Sequence, residues 1–227
     1  MIENKIKSYM RVSIVLLLTV ITLQGFSQNA TPPFWKEVQA FKKQDSIAMP
    51  VTGQVLFIGS SSFTYWTTAQ QDFPNHKILN RAFGGSSFPD LIRFADVVIY
   101  PYKPKQIVIY CGDNDLAASD TVSPELVFER FKTLFTMMRT KLPGVAVAFV
   151  AIKPSPSRER LMPKANLANS WIRDFLAKEK NTAFIDVYHA MLRDGKPMPE
   201  IFREDNLHMN EKGYVIWQKL MEPYLLK

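Results

Sequence analysis

The sequence predicts an α/β protein in which a five-stranded parallel sheet is covered by helices on both faces. Five short apolar runs alternate with helical segments along the chain. One of them, residues 145–152, is uniformly apolar, as expected for a strand that is buried on both faces. No internal repeat or low-complexity tract interrupts this alternation. Strands that alternate with helices form parallel sheets, so these observations together fix the class.

Length and composition are those of one globular domain with a leader. The chain has 227 residues, of which 47% are hydrophobic, enough for a full core. Its formal charge of +7 becomes +5 without residues 1–27, which hold three basic residues and one acid. No basic run is interleaved with aromatics, so we expect no nucleic-acid partner. The only cysteine, Cys111, ends an apolar run and is expected to be a buried structural thiol.

The first 27 residues have the composition of a secretory signal peptide. Three basic residues precede the apolar run from Val12 to Leu23, and the small residues Gly25 and Ser27 follow it. The run is shorter than the roughly 20 residues that cross a bilayer as a helix. We therefore expect cleavage near Ser27, a catalytic domain over residues 28–227 that is secreted or periplasmic, and no stable membrane insertion afterwards. An uncleaved membrane anchor is the alternative.

Apolar runs and turn signals place the elements in order. Residues 34–43 are predicted to be a first amphipathic segment, and a helix is predicted from Ser87, whose spacing to Asp90 is that of a helix N-cap. A stretch rich in glycine and proline, residues 191–204, is predicted to be irregular. The predicted strands are residues 55–58, 76–82, 106–110, 145–152 and 182–187. The other predicted helices are residues 124–142, a helix that ends near 180 with Leu167, Trp171, Phe175 and Leu176 inward, and one that begins at Asn210.

Glycines and polar residues follow the first three strands. These clusters are residues 59–62, 84–86 and 112–115, and a fourth polar cluster, residues 205–208, directly precedes the last helix. The carboxyl ends of parallel strands lie at the same edge of a sheet, where open α/β proteins bind their ligands. A hydroxyl, an imidazole, a carboxylate, an amide and glycine backbones would meet there. This is the inventory for acyl transfer by a serine nucleophile.

Each residue type has a chemical role in such a site. A serine is a weak nucleophile at neutral pH and needs a base, usually a histidine oriented by a carboxylate. His208 is favoured over His76 and His189 because Asp205 stands three residues before it. Glycine N–H groups and an asparagine amide can bind the developing oxyanion.

Other interpretations remain open from these residues alone. Ser60, Ser61 and Ser62 compete as the nucleophile. Tyr65 and Trp66 either line a cleft or pack against the sheet. Residues 113–115 are similar to the start of a calcium loop but lack its glycine and closing glutamate, so no metal is expected.

Four blocks of sequence carry a resemblance to a known family. Phe57-Ile-Gly-Ser-Ser61, Asn80-Arg-Ala-Phe-Gly-Gly85, Gly112-Asp-Asn114-Asp and Asp205-x-x-His208 resemble, in order and spacing, the blocks of the SGNH hydrolases, or GDSL-type esterases and lipases. The resemblance extends from about residue 54 to the end of the chain. Two positions depart from the family pattern: residue 60 is Ser where the name-motif has Asp, and residue 82 is Ala where many members have Gly.

The resemblance implies a fold and a set of roles. The fold is a flavodoxin-like three-layer α/β/α sandwich, and the chemistry needs no cofactor or metal. Ser61 would be the nucleophile, His208 the base and Asp205 its orienting carboxylate. The N–H groups of Ser61 and Gly85 and the side chain of Asn114 would form the oxyanion hole.

These implications lead to an expected function. We expect a secreted serine esterase that hydrolyses short acyl esters, acetyl esters of a glycan in the first place. The alternatives are a lysophospholipase or short-chain lipase, and a catalytically silent glycan-binding module on the same fold. The sequence contains no signal for an oligomeric state.

Overall fold

The computed structural model describes residues 31–227, and residues 34–227 form one compact unit. The predicted signal peptide, residues 1–27, lies outside the described residues. In the described part of the chain, no helix combines the length and apolarity needed to cross a membrane.

A five-stranded sheet forms the centre of this unit, and all of its neighbouring strands are parallel. Its strands follow the spatial order β2-β1-β3-β4-β5. They are β1 (Val55–Gly59), β2 (Ile78–Asn80), β3 (Gln106–Tyr110), β4 (Ala146–Val150) and β5 (Thr182–Ile185). The five-stranded parallel sheet and the three-layer α/β/α class predicted from the sequence are confirmed. Because every strand points the same way, the loops that carry the polar clusters leave the sheet at one edge.

Helices flank the sheet, and the longest include the four that the sequence predicts. They are α1 (Trp35–Ile47), α4 (Phe88–Val98), α6 (Pro124–Lys141), α7 (Met162–Leu176) and α9 (Glu211–Met221). Four shorter helices are α2 (Ser61–Thr64), α3 (Ala69–Asp72), α5 (Asp113–Ala118) and α8 (Val187–Ala190). A two-stranded hairpin, β6 (Leu192–Arg193) and β7 (Lys196–Pro197), lies in the stretch that is predicted to be irregular.

The helices that begin next to the site are closed by polar caps. Ser87 and Asp90 form a reciprocal capping box at the start of α4, as the sequence predicts. The side chain of Asn210 accepts hydrogen bonds from two backbone N–H groups at the start of α9. Such caps satisfy the first N–H groups of a helix and fix where it begins. The cap at Asn210 therefore fixes the C-terminal end of the loop that precedes α9.

One residue of a predicted helix face is wrong. Leu167 of α7 is 43% exposed, although the sequence prediction turned it inward. Leu176 is buried as predicted, and the other buried residues of α7 are Ala165, Ala168, Asn169 and Ile172. The side chain of Asn169 accepts a hydrogen bond from the backbone N–H of Ile152 and donates one to its carbonyl, just beyond the end of β4. A buried polar anchor thus sets the rotation of the helix, and the hydrophobic pattern alone does not reveal it.

The core beneath the serine cluster is aromatic. Phe57 of β1 stacks on Phe63, and the rings of Trp66, Phe73 and Trp217 pack around them. All five side chains are at most 1% exposed. Dense packing of this kind leaves few alternative rotamers, so the turn after β1 rests on a rigid base.

Candidate active site

The turn after β1 brings the serine cluster to the carboxyl edge of the sheet. Gly59 has a φ of +129°, and a Cβ there would lie 1.9 Å from the carbonyl oxygen of Tyr110 on β3. Only glycine fits this approach. The N–H of Ser60 donates to the same carbonyl at 3.0 Å, and α2 begins at Ser61.

The structure brings together Ser61, His208 and Asp205. His208 Nε2 lies 2.9 Å from Ser61 Oγ. The other ring nitrogen, Nδ1, lies 2.6 Å from Asp205 Oδ2. This is the geometry in which a carboxylate fixes the tautomer of a histidine that takes the serine proton.

Asp205 is also bound by the backbone of its own loop. The backbone N–H groups of Leu207 and His208 both donate to its Oδ1 atom at 2.9 Å. Partial burial alone would raise the pKa of Asp205, but the bonds from His208 and Leu207 outweigh it and lower this pKa to about 2. The carboxylate therefore stays ionised at any pH at which an imidazole can act as a base.

The three neighbouring serines have different environments. Ser60 and Ser62 are each 2% exposed. Ser60 Oγ accepts a hydrogen bond from the Asn114 amide, and the carbonyl of Ser62 accepts one from the hydroxyl of Tyr214. Of the three, only the partly exposed Ser61 contacts His208.

Residues of two other loops lie beside the serine cluster. A Cβ on Gly84 would lie 3.8 Å from the Cβ of Ser61, and the next residue, Gly85, has a φ of +83°. Asn114 Nδ2 donates to Ser60 Oγ at 2.7 Å and to the Ser86 carbonyl at 3.1 Å. The loops after β1, β2 and β3 are thus joined around the serine.

A second Asp-x-x-His pair shows that spacing alone does not identify the base. His189 Nδ1 lies 2.7 Å from Asp186 Oδ2, and Asp186 caps α8. The sequence argument that preferred His208 for its aspartate three residues earlier is therefore wrong as a criterion, since His189 satisfies it too. What separates the two is the contact of His208 with Ser61.

Neither of the remaining candidates is hydrogen-bonded to Ser61 or His208. His76 is buried, with one ring nitrogen 3.0 Å from Glu222 and the other 3.1 Å from the carbonyl of Leu226. Cys111 is buried too, and burial raises the pKa of its thiol. Among residues 31–227 there is no group of three or more His, Cys, Asp or Glu side chains that could hold a metal ion.

Three residues that contact the site, Tyr65, Lys153 and Arg158, belong to none of the four motif blocks. The Tyr65 ring lies edge-to-face with the imidazole of His208 at 4.8 Å, and it is 43% exposed, whereas Trp66 is buried. Lys153 and Arg158, on the loop after β4, bind the backbone or side chains of site residues. The signal for this loop was its position, because it too leaves the carboxyl end of a strand.

Comparison with known proteins identifies the family. The profile of the GDSL-like Lipase/Acylhydrolase family matches residues 45–216, so the chain belongs to this family. Membership makes it a carboxylic ester hydrolase by class and implies an ester as substrate. No curated protein matches the chain.

Solved structures share the fold at low sequence identity. A Streptococcus pneumoniae protein, provisionally described as a platelet activating factor, is 19% identical with a TM-score of 0.74, over 92% of this chain and 99% of its own. A GDSL-like lipase from Bacteroides thetaiotaomicron is 20% identical with a TM-score of 0.67, over 82% and 95%. An acetylxylan esterase from Geobacillus stearothermophilus is 14% identical with a TM-score of 0.60, over 77% and 95%.

Proposed function

We propose that the protein is a serine esterase that removes short acyl groups, acetyl in the first place, from carbohydrate esters. The contact between His208 Nε2 and Ser61 Oγ at 2.9 Å carries this proposal, because it joins a nucleophile to its base. Asp205, 2.6 Å from the other ring nitrogen, completes the arrangement.

The reaction proceeds in two halves. His208 takes the proton of Ser61 while Oγ attacks the ester carbonyl, and the tetrahedral intermediate collapses as His208 protonates the departing alcohol. Water then attacks the acyl-enzyme, gives its proton to His208, and the returned proton restores Ser61 as the acid leaves. Asp205 stabilises the imidazolium in both halves and keeps its own charge.

The developing oxyanion is bound by the N–H groups of Ser61 and Gly85 and by the amide of Asn114. Both hydrogens of that amide already serve Ser60 and Ser86. The amide therefore reaches the oxyanion by sharing or exchanging one of these bonds, and its place is set in advance. Preorganised donors of this kind stabilise a transition state without reorganisation during the reaction.

Two observations favour acetylated glycans. The first is that the fold is shared with an acetylxylan esterase. The exposed ring of Tyr65 beside His208 offers an aromatic surface to the alcohol part of the ester. The family also contains lipases, and a structural neighbour is named a GDSL-like lipase, so a lysophospholipase or short-chain lipase is the second candidate.

The test is turnover of p-nitrophenyl acetate, followed by a series of longer acyl chains and by acetylated xylo-oligosaccharides. We expect activity that is abolished in Ser61→Ala, that falls with chain length, and that releases acetate from the oligosaccharide. No turnover by the folded protein would favour the silent glycan-binding module, and a preference for long chains would favour the lipase.

We further propose that the protein is exported by cleavage near Ser27. The basic and apolar order of residues 1–27 supports it. Mass spectrometry of the mature protein is the test, and an intact N-terminus in the membrane fraction would contradict it.

A further inference from the structure

The loop that follows β4, residues 151–161, contacts both halves of the candidate site and belongs to none of the four motif blocks. Lys153 Nζ donates to the carbonyl of Leu207 at 2.7 Å. The N–H of Ser157 donates to the carbonyl of Asn206 at 3.0 Å. Leu207 and Asn206 lie between Asp205 and His208, so this loop, here called the β4 loop, holds the segment that carries the base.

Lys153 is buried in an unusual way for a lysine. Lys153 as a whole is 3% exposed, and its ammonium lies 5.5 Å from the centre of the Phe202 ring. Burial lowers the pKa of Lys153 to about 8, while the charges of Asp113 and Asp205 oppose this shift. A buried cation is costly unless it has partners, and here one of them is the backbone next to His208.

Arg158 serves the other half of the site. Its Nη2 donates to Asn114 Oδ1 at 3.0 Å, and its Nη1 lies 2.8 Å from Asp113 Oδ2. An amide whose oxygen is bound by a guanidinium must turn its nitrogen the other way, here toward Ser60 and Ser86. Without Arg158 the amide could rotate and present its oxygen to the oxyanion, which would repel it.

We propose that Lys153 and Arg158 are positioning residues: Lys153 fixes the loop of the base His208, and Arg158 fixes the amide orientation of the oxyanion donor Asn114. Neither side chain needs to touch the substrate for this role. The β4 loop then couples two functions that come from sequence segments about 90 residues apart. The part of this inference that concerns turnover rests on the proposed esterase function.

Each variant has a matched control. Lys153→Met keeps the length and apolar contacts of the side chain and removes its donor and charge. Lys164→Met is the control, because Lys164 Nζ also binds backbone carbonyls, those of Asp120 and Val122, away from the serine. Arg158→Met is compared in the same way with Arg160→Met, since Arg160 is paired with the exposed Asp120.

The two positioning variants should differ in their kinetics. We expect each to lower kcat about 10-fold or more, with KM within about two-fold of wild type. Lys153→Met should also raise the pH of the acid limb of kcat/KM by about half a unit, since a cation that interacts with Asp205 and binds the backbone beside His208 is lost. Arg158→Met should leave this limb in place, and the control variants should keep wild-type rates. Losses no larger than those of the controls would overturn the proposal.

A readout without turnover separates this inference from the proposed function. The titration of His208 can be followed by NMR in a chain with three histidines, assigned with His208→Gln. Lys153→Met should raise the pKa of His208, and Lys164→Met should not. An unchanged titration in Lys153→Met overturns the role of Lys153 even if the wild type hydrolyses esters. A shifted one supports it even if no ester is found. If Lys153→Met does not fold, Lys153→Gln, which keeps an N–H donor, is titrated in its place.

Discussion

His208 directs its Nε2 atom to the Oγ atom of Ser61 at 2.9 Å, across a separation of 147 residues. His189 holds Asp186 much as His208 holds Asp205. In the described residues, however, no serine hydroxyl is hydrogen-bonded to the ring of His189. The chain therefore contains its own control for the role of an Asp-x-x-His pair.

His208→Ala should lower kcat for p-nitrophenyl acetate about 10³-fold, because the base that activates Ser61 is lost. His189→Ala should stay within about two-fold of wild type, because that ring has no nucleophile. Initial rates near pH 8, with circular dichroism to check folding, make the comparison. Equal losses in the two variants would remove the assignment of His208 as the base.

Asp205→Asn should lower kcat about 10²-fold or more, since the imidazolium loses its stabilising charge. The pKa of Asp205 is about 2, so Asp205 itself does not produce the acid limb of the wild-type profile. Removing a neighbouring negative charge lowers the pKa of a histidine, and the limb should move to lower pH in the variant. Asp186→Asn is the control. A limb that moves to higher pH would show that Asp205 is not the partner of the base.

The same carboxylate links stability to pH. The pKa of Asp205 in the folded protein lies below the ordinary value of 3.8. Its contribution to the free energy of unfolding is therefore present above pH 4 and is lost as the pH falls toward 2.

The sheet and the site loops were predictable because they depend on local signals. Apolar runs such as residues 106–110 became strands with the predicted limits. The polar clusters after the strands met at one edge because parallel strands impose it. The capping box of Ser87 and Asp90 was readable from four residues.

What the sequence did not reveal depends on contacts between distant side chains. Lys153 meets Leu207 across 54 residues, and Arg158 meets Asn114 across 44. Neither partner carries a pattern that marks the other. The rotation of α7, which exposes Leu167, likewise follows from the bonds of Asn169 to Ile152 across 17 residues. Local periodicity cannot report such pairs, whereas motif spacing reported Ser61 and His208 only through a family resemblance.

Asn114→Ala should lower kcat about 10²-fold with little change in KM, because an oxyanion donor acts mainly in the transition state. Asn114→Asp should lower it at least as much, since a carboxylate repels the oxyanion. Asn181→Ala is the control. Asn181 lies just before β5, at the opposite edge of the sheet, and its side chain donates to the carbonyl of Gly144. A wild-type kcat in Asn114→Ala would exclude the amide from the oxyanion hole.

Gly59→Ala should destabilise the protein by more than about 3 kcal/mol, because its Cβ would meet the Tyr110 carbonyl at 1.9 Å. Gly144 is a fair comparison: its φ is +78°, but nothing lies within 4 Å of a Cβ there. Gly144→Ala should therefore cost only the backbone strain, about 1–2 kcal/mol. Urea unfolding measures both. Similar losses in the two variants would mean that the turn after β1 adapts to a side chain.

Lys153 should make stability rise with pH, as Asp205 does, but over an alkaline interval. Its folded pKa of about 8 lies below the ordinary value of 10.5. Between these values the unfolded chain binds more protons, so stability rises with pH, by up to about 3 kcal/mol over the whole interval. The free energy of unfolding should thus increase from pH 7.5 to 9.5 by more in the wild type than in Lys153→Met. Urea unfolding of both proteins at each pH gives this difference, in which the contributions of Cys111 and the tyrosines cancel.

We expect the variant to be no less stable than the wild type at pH 7.5, although its kcat is lower. A difference that stays constant with pH would mean that the ammonium of Lys153 is not buried as the structure places it.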